Sequence, residues 1–329
     1  DRDPDLPRRE RLGFSVRRAR LRFRATVAER TGVYFQMGGA GASAELLDAV
    51  GFYRITEDLT ARIGRFTSAQ PRSFQGTSHT RIDAVSRAAV AQLWGENTIG
   101  SSGRDFGLDL RYETERAEAT LAVQNGDGNW SRARGNYRAD VAGGNPAGGE
   151  DDAGLAVGAY GAYRPAAVSG LEVGGYVGYN ADENSNTELF GRGRSYASYA
   201  GHLYWGARPG SQPVRLKFDL IGIRYEEIRV PPPTRGRLPV DQHTLGSSFL
   251  AAVRPHRAGE LFARFEQYAP YLDGDRDLYV TAGGSFSLSA LRGRPYRQER
   301  LTLAYGAFGE DGSFEDAPQL VVLQAQVLF

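Results

Sequence analysis

The sequence predicts an all-β chain, a transmembrane antiparallel β-barrel of about 16 strands of which 15 are visible, forming a single domain over residues 1–329. Three observations predict it. Apolar and polar residues alternate with a period of two in stretch after stretch, helical periodicity is nearly absent, and the links between stretches alternate between short and long.

The first stretch sets the pattern. In SVRRARLRFRATV, Ser15–Val27, the side chains of Arg18, Arg20, Arg22 and Arg24 point one way and those of Ala19, Leu21, Phe23, Ala25 and Val27 the other. A helix would scatter those arginines around its circumference, so residues 13–27 are a strand. The same alternation marks 31–38, 46–56, 58–66, 105–113, 118–126, 153–163 and 169–180. It continues through 195–207, 213–225, 245–254, 260–269, 277–289, 298–308 and 318–329. Helix is expected only as a turn or two within Arg81–Trp94.

The short links are AERTG, TED, ETERA, PAAVSG, RPGSQP and PHRAG; the long ones are 67–104, 127–152, 181–194 and 226–244. A sandwich has no reason to gather its long loops at one end, whereas an outer-membrane barrel has short periplasmic turns and long outer loops. Val321, Leu323, Ala325, Val327 and Phe329 form an apolar face ending in an aromatic residue, which resembles the assembly signal of such barrels. Counting back from a periplasmic C-terminus makes 13–27 a downward strand. Barrels of this kind have even strand numbers, so one upward strand is expected before it, either outside this chain or within residues 1–12.

Composition narrows the class further. No window approaches the ~20 consecutive apolar residues of a membrane-spanning helix. A net charge of +1 argues against a nucleic-acid partner. The chain has no cysteine, hence no disulfide and no thiolate metal site, and Lys217 is its only lysine.

A lipid-facing arginine costs about 2–4 kcal/mol at the bilayer midplane, so the column Arg18, Arg20, Arg22 and Arg24 must face the lumen. Arg62, Arg111 and Lys217 are expected to line it as well. Two outcomes stay open for the column. It could draw anions along the wall, or lumen acids such as Asp105, Asp109, Glu260 and Glu266 could pair with it and brace the wall.

Other motifs carry less. Asp182, Asn184 and Asn186 have calcium-loop spacing, but Thr187 and Gly193 stand where such a loop needs Gly and Glu. GGAGAS at Gly38–Ser43 lacks the lysine and helix of a phosphate cradle. No spacing among His79, His202, His243 and His256 suggests a nucleophile with its base, and no enzyme is expected. Tyr199, Trp205, Tyr225, Tyr268 and Tyr305 are expected in aromatic girdles at the membrane interfaces.

The order of segments FSVRRARLRF, LTARIGRFTSAQPRSF, GRDFGLDL, AVQNGDGN, GELFARFE and QAQVLF resembles the phosphate-selective porin O and P family. That resemblance implies a homotrimer of 16-stranded barrels, each narrowed by an infolded third outer loop. Residues 67–104 have the matching place and length, and Arg72, Arg81, Arg87, His79, Asp83 and Glu96 are candidates to line the constriction. The family's phosphate-selecting lysines have no direct counterpart here.

The expectation is thus a passive porin of the bacterial outer membrane, weakly anion-preferring, with phosphate-type anions among its candidate solutes. It needs no cofactor and no metal, and its partners are outer-membrane lipid or lipopolysaccharide, copies of itself and small anions. The alternative is a non-conducting barrel that anchors an envelope partner.

Overall fold

The computed structural model describes residues 16, 18–40, 43–75, 82–100, 102–126, 153–182, 195–225, 242–270, 272, 274–310, 312–314 and 318–328. Its strands are β1 (Ala19–Thr26), β2 (Thr31–Ala40), β3 (Ser43–Arg54), β4 (Leu59–Phe66), β5 (Asp105–Glu113), β6 (Ala117–Gln124), β7 (Ala153–Tyr163) and β8 (Leu171–Asp182). They continue as β9 (Tyr196–Trp205), β10 (Val214–Tyr225), β11 (Gln242–His256), β12 (Gly259–Ala269), β13 (Asp277–Ser287), β14 (Glu299–Gly309) and β15 (Gln319–Val327). Each pairs antiparallel with the next in one 15-stranded sheet running from β1 to β15. Every stretch of period two is a strand, with its ends shifted. The additional strand expected before Ser15 would fall on residues outside those described.

One face of the sheet is an apolar belt. Leu21 pairs with Met37 and Phe23 with Phe35, and Ile63, Leu121, Val177 and Leu323 are 66%, 61%, 61% and 71% exposed. Water does not tolerate so continuous an apolar surface, whereas hydrocarbon does.

The other face curls round the described residues of the 67–104 loop, which carry α1 (Arg72–Gln75) and α2 (Ala89–Glu96). This loop follows β4, yet Arg104 reaches Asp48 on β3, Arg72 reaches Glu172 on β8 and Asp83 reaches Arg215 on β10. The Val90 amide donates to Glu266 on β12, and Arg300 on β14 donates to the Ile82 carbonyl. A single loop can touch strands from β3 to β14 only if the sheet wraps around it.

Two local departures have physical causes. The stretch expected as strand 277–289 ends at Ser287, whose hydroxyl accepts from the Ala290 amide at 3.0 Å and caps a helical turn, α3 (Leu288–Leu291). The helix expected within Arg81–Trp94 begins only at Ala89 and runs on to Glu96.

Gly64 sits at φ +128°, and a Cβ there would lie 2.1 Å from the Ala49 carbonyl oxygen. Its conformation turns the next residue, Arg65, into a buried position where Nη1 donates to the Leu47 carbonyl at 2.7 Å. Gly64→Ala is expected to cost at least about 1–3 kcal/mol. It should lower the yield of compact barrel seen as faster gel migration of unboiled samples. Unchanged migration and an unchanged unfolding temperature would refute this role.

Candidate functional site: the lumen and its infolded loop

The loop carries a small core of its own into the lumen. Trp94 meets Phe74 at 4.9 Å and Tyr176 of β8 at 5.7 Å, both edge-on. Val90, Ala91 and Ile99 pack with them against Tyr160, Ile221, Ile223 and Tyr268. Burying each large side chain contributes on the order of 1.5–3 kcal/mol, so the loop is fixed against the wall by apolar contact as well as by charge. Tyr225 and Tyr268 belong here and not to a membrane girdle: the Tyr225 hydroxyl donates to the Asn97 carbonyl at 3.0 Å, and Asn97 Nδ2 donates to the Tyr268 hydroxyl at 3.2 Å. Inward parity puts both on the lumen face. Tyr199, Trp205 and Tyr305 take the outward parity expected of them.

Ion pairs clamp the loop to the same wall. Asp83 accepts from Arg215 Nη1 at 2.5 Å and Lys217 Nζ at 2.7 Å, while Arg215 also holds Glu260 at 2.7 Å. Burial opposes charge on Asp83, but Lys217 and Arg215 outweigh it and hold the carboxyl down at about 2. Arg72 binds Glu172 through Nε at 2.8 Å and through Nη2 at 3.0 Å. Arg164 joins Glu172 to Glu118, which also takes Arg111 at 3.1 Å. Arg62 grips Asp109 with Nε at 2.9 Å and Nη2 at 2.5 Å, and Arg264 Nε meets Glu266 at 2.7 Å.

The lumen wall is therefore covered unevenly. From β6 to β12 the charged lumen residues Glu118, Glu172, Arg215, Lys217, Asp219, Glu260 and Glu266 are buried beneath or beside the loop. On β1 and just before it, by contrast, Arg18, Arg22 and Arg24 are exposed and Arg20 is half-buried. Arg22 donates to the Gln36 side-chain oxygen at 3.1 and 2.7 Å, and Arg24 lies 4.7 Å over the Phe52 ring.

The sequence-predicted lumen residues thus separate into two groups. Arg62, Arg72, Arg111 and Lys217 are held in ion pairs, and Asp109, Glu260 and Glu266, expected as partners of the β1 column, are engaged with Arg62, Arg215 and Arg264. Among the described residues no carboxylate pairs with Arg20, Arg22, Arg24 or Arg87. Arg87 lies 4.3 Å over the Phe74 ring. Burial first, and then Arg18, Arg20 and Arg104, push its guanidinium down to about 10, still charged at neutral pH. Arg81, His79 and residues 183–194 of the calcium-type loop lie outside the described residues. Parity places Arg264 with Glu260 and Glu266 on the lumen face and would have flagged Glu172 in the same way; Arg104 and Arg208, in links, gave no such signal.

No protein-family model matches the sequence, and a search of curated proteins finds no match either. Solved structures do match. An anion-selective porin from Comamonas acidovorans has a TM-score of 0.62 at 12% identity, covering 93% of this chain and 83% of that one. OmpF of Salmonella typhi has a TM-score of 0.59 at 13% identity over 94% of this chain and 89% of that one. The fold is a porin-type barrel. A loop-deletion mutant of OmpT, an outer membrane protein of Vibrio cholerae, has a TM-score of 0.61 at 10% identity, with 95% and 91% coverage. These likenesses extend to a porin-type barrel and not to the phosphate-selective O and P family, whose short motifs are the only link to it.

Proposed function

We propose that this porin-type barrel is a passive, water-filled pore of the bacterial outer membrane that weakly favours small anions, phosphate-type anions included. The observation that carries the reading is the absence of carboxylate partners for Arg20, Arg22 and Arg24 among the described residues, while the acids around them are engaged elsewhere. Guanidinium groups on alternate residues of a strand stand ~6.7 Å apart, and each neighbouring pair repels by about 0.6 kcal/mol in water. A passing anion relieves that repulsion and a cation adds to it.

In this reading Arg18, Arg20, Arg22 and Arg24 set ion preference and Arg87 adds to the positive potential. Arg62, Arg72, Arg111 and Lys217 act through their ion pairs, shaping the wall and fixing the loop that limits solute size. The apolar belt faces lipid and lipopolysaccharide, and the chain assembles as a homotrimer.

The test is the current through the purified protein in a planar bilayer under a potassium chloride gradient. A steady conductance whose reversal potential lies on the chloride side is expected. A reversal potential on the potassium side would overturn the anion preference, and no current at all would favour the barrel that anchors an envelope partner.

A further inference from the structure

Between the loop and the wall formed by β9 to β12 lies a cavity of about 60 Å³. Arg87, Arg208, Lys217 and Arg264 line it against the carboxylates Asp83 and Asp219. Most of these charges are already committed: Lys217 to Asp83, Arg264 to Glu266, and Asp219 accepts from the Tyr204 hydroxyl at 2.6 Å. Arg87 and the exposed Arg208 are not, and Arg72, which also lines the cavity, gives Nε and Nη2 to Glu172 while its Nη1, among the described residues, has no hydrogen-bond partner. Arg87 Nε and Nη1 are both buried and have no hydrogen-bond partner among the described residues, and stacking on Phe74 satisfies the face of the guanidinium but none of its N–H groups. Buried donors normally find an acceptor, because leaving a charged one unmade costs more than a neutral one.

We infer that this cavity binds a small oxoanion, a phosphate or a carboxylate, which accepts hydrogen bonds from Arg87 and is attracted by Arg208. The size fits such an ion. At ~10–15 Å³ of centre space per water, the cavity has room for about four to six water-sized bodies, and acetate and phosphate have four and five heavy atoms. The sign fits as well, since the charged side chains on the lining that have no ion-pair partner among the described residues, Arg87 and Arg208, are cationic. The site has no β1 residue on its lining, which is formed by Asp83, Ser86 and Ala88 of the loop and Ser248 and Leu250 of β11, although Arg18 and Arg20 stand close enough to act on the charge of Arg87. An anion seated there links the loop, through Arg87, to the Ala207–Arg208 link that follows β9. The inference goes beyond the proposed pore, and it holds whether or not the pore conducts.

Calorimetric titration of the detergent-solubilised protein with sodium phosphate and with sodium acetate, at constant ionic strength in chloride, tests it. One saturable site per chain is expected for at least one of the two, and which anion binds identifies the source. Arg87→Gln should weaken binding at least tenfold and Arg208→Gln a few-fold, whereas the double variant Arg22→Ala, Arg24→Ala should bind as the parent does. Arg208 is exposed in a link, so its variant reports even where Arg87→Gln fails to fold. Absence of saturable binding for both anions would overturn the site. So would loss of binding in the β1 double variant with retention in Arg208→Gln, since that places the anion on the column. The reversal potential reads the column and the titration reads the cavity, so the two proposals can fail independently.

Discussion

Replacing Arg20, Arg22 and Arg24 together by alanine is expected to weaken the preference for chloride, lowering the chloride-to-potassium permeability ratio by about tenfold, with Arg18 and Arg87 left to sustain what remains. The magnitude follows from Coulomb's law. A unit charge passing ~4 Å from another in water feels about 1 kcal/mol, a factor of about five in local concentration, and three such charges act in succession along the wall. Screening limits the sum, because the Debye length is ~10 Å at 0.1 M and ~30 Å at 0.01 M. The effect should therefore be larger at the lower salt, and that dependence separates a field effect from a change in pore width. Arg116→Ala in the exposed turn after β5 is the control, with little change expected at 0.1 M. Reversal potentials measured at both salt concentrations decide the matter: a triple variant as anion-preferring as the parent would show that the column is not the selecting element.

What the sequence discloses about this molecule is what a period of two can disclose. Every strand could be read from alternation, because a lipid-facing position and a lumen-facing position differ in their tolerance of charge by a few kcal/mol. That same rule assigns Arg20, Lys217 and Glu172 to the lumen without reference to any neighbour. It says nothing about which charge meets which. Asp83 and Arg215 are 132 residues apart and Arg72 and Glu172 are 100 apart, and only the path of the infolded loop brings them together. The division of the arginines into paired and unpaired was for this reason illegible, and the candidate site rests on that division. Aromatic residues mislead in a similar way. Tyr225 and Tyr268 stand at strand ends as girdle residues do, but the loop supplies Asn97 as a polar partner inside the lumen, and a buried tyrosine hydroxyl with a partner is as stable there as at an interface.

The loop itself is expected to come free when either of its two kinds of attachment is cut. Asp83→Asn leaves buried Lys217 without its ion-pair contact and deprives Arg215 of one of its two, and breaking a buried pair from one side costs about 3–5 kcal/mol. Trp94→Ala removes the residue between Phe74 and Tyr176 at a cost of about 3–5 kcal/mol. Neither change touches the interstrand hydrogen bonds of the sheet, so both variants should fold as barrels. Both should show higher and noisier single-channel conductance and admit larger sugars in liposome swelling. Acid should reproduce the first variant in the parent protein. The Asp83 carboxyl is held at about 2 in the folded chain, below its ordinary value of ~3.9. Its contribution is therefore complete above pH ~4 and is lost as pH falls through about 2. Parent traces should stay quiet from pH 8 to 5 and become noisy only below pH 4, while Asp83→Asn should be noisy throughout. Should Asp83→Asn and Trp94→Ala both conduct and size-select as the parent does, the loop would not be the constriction, and the size limit would have to be sought in the wall.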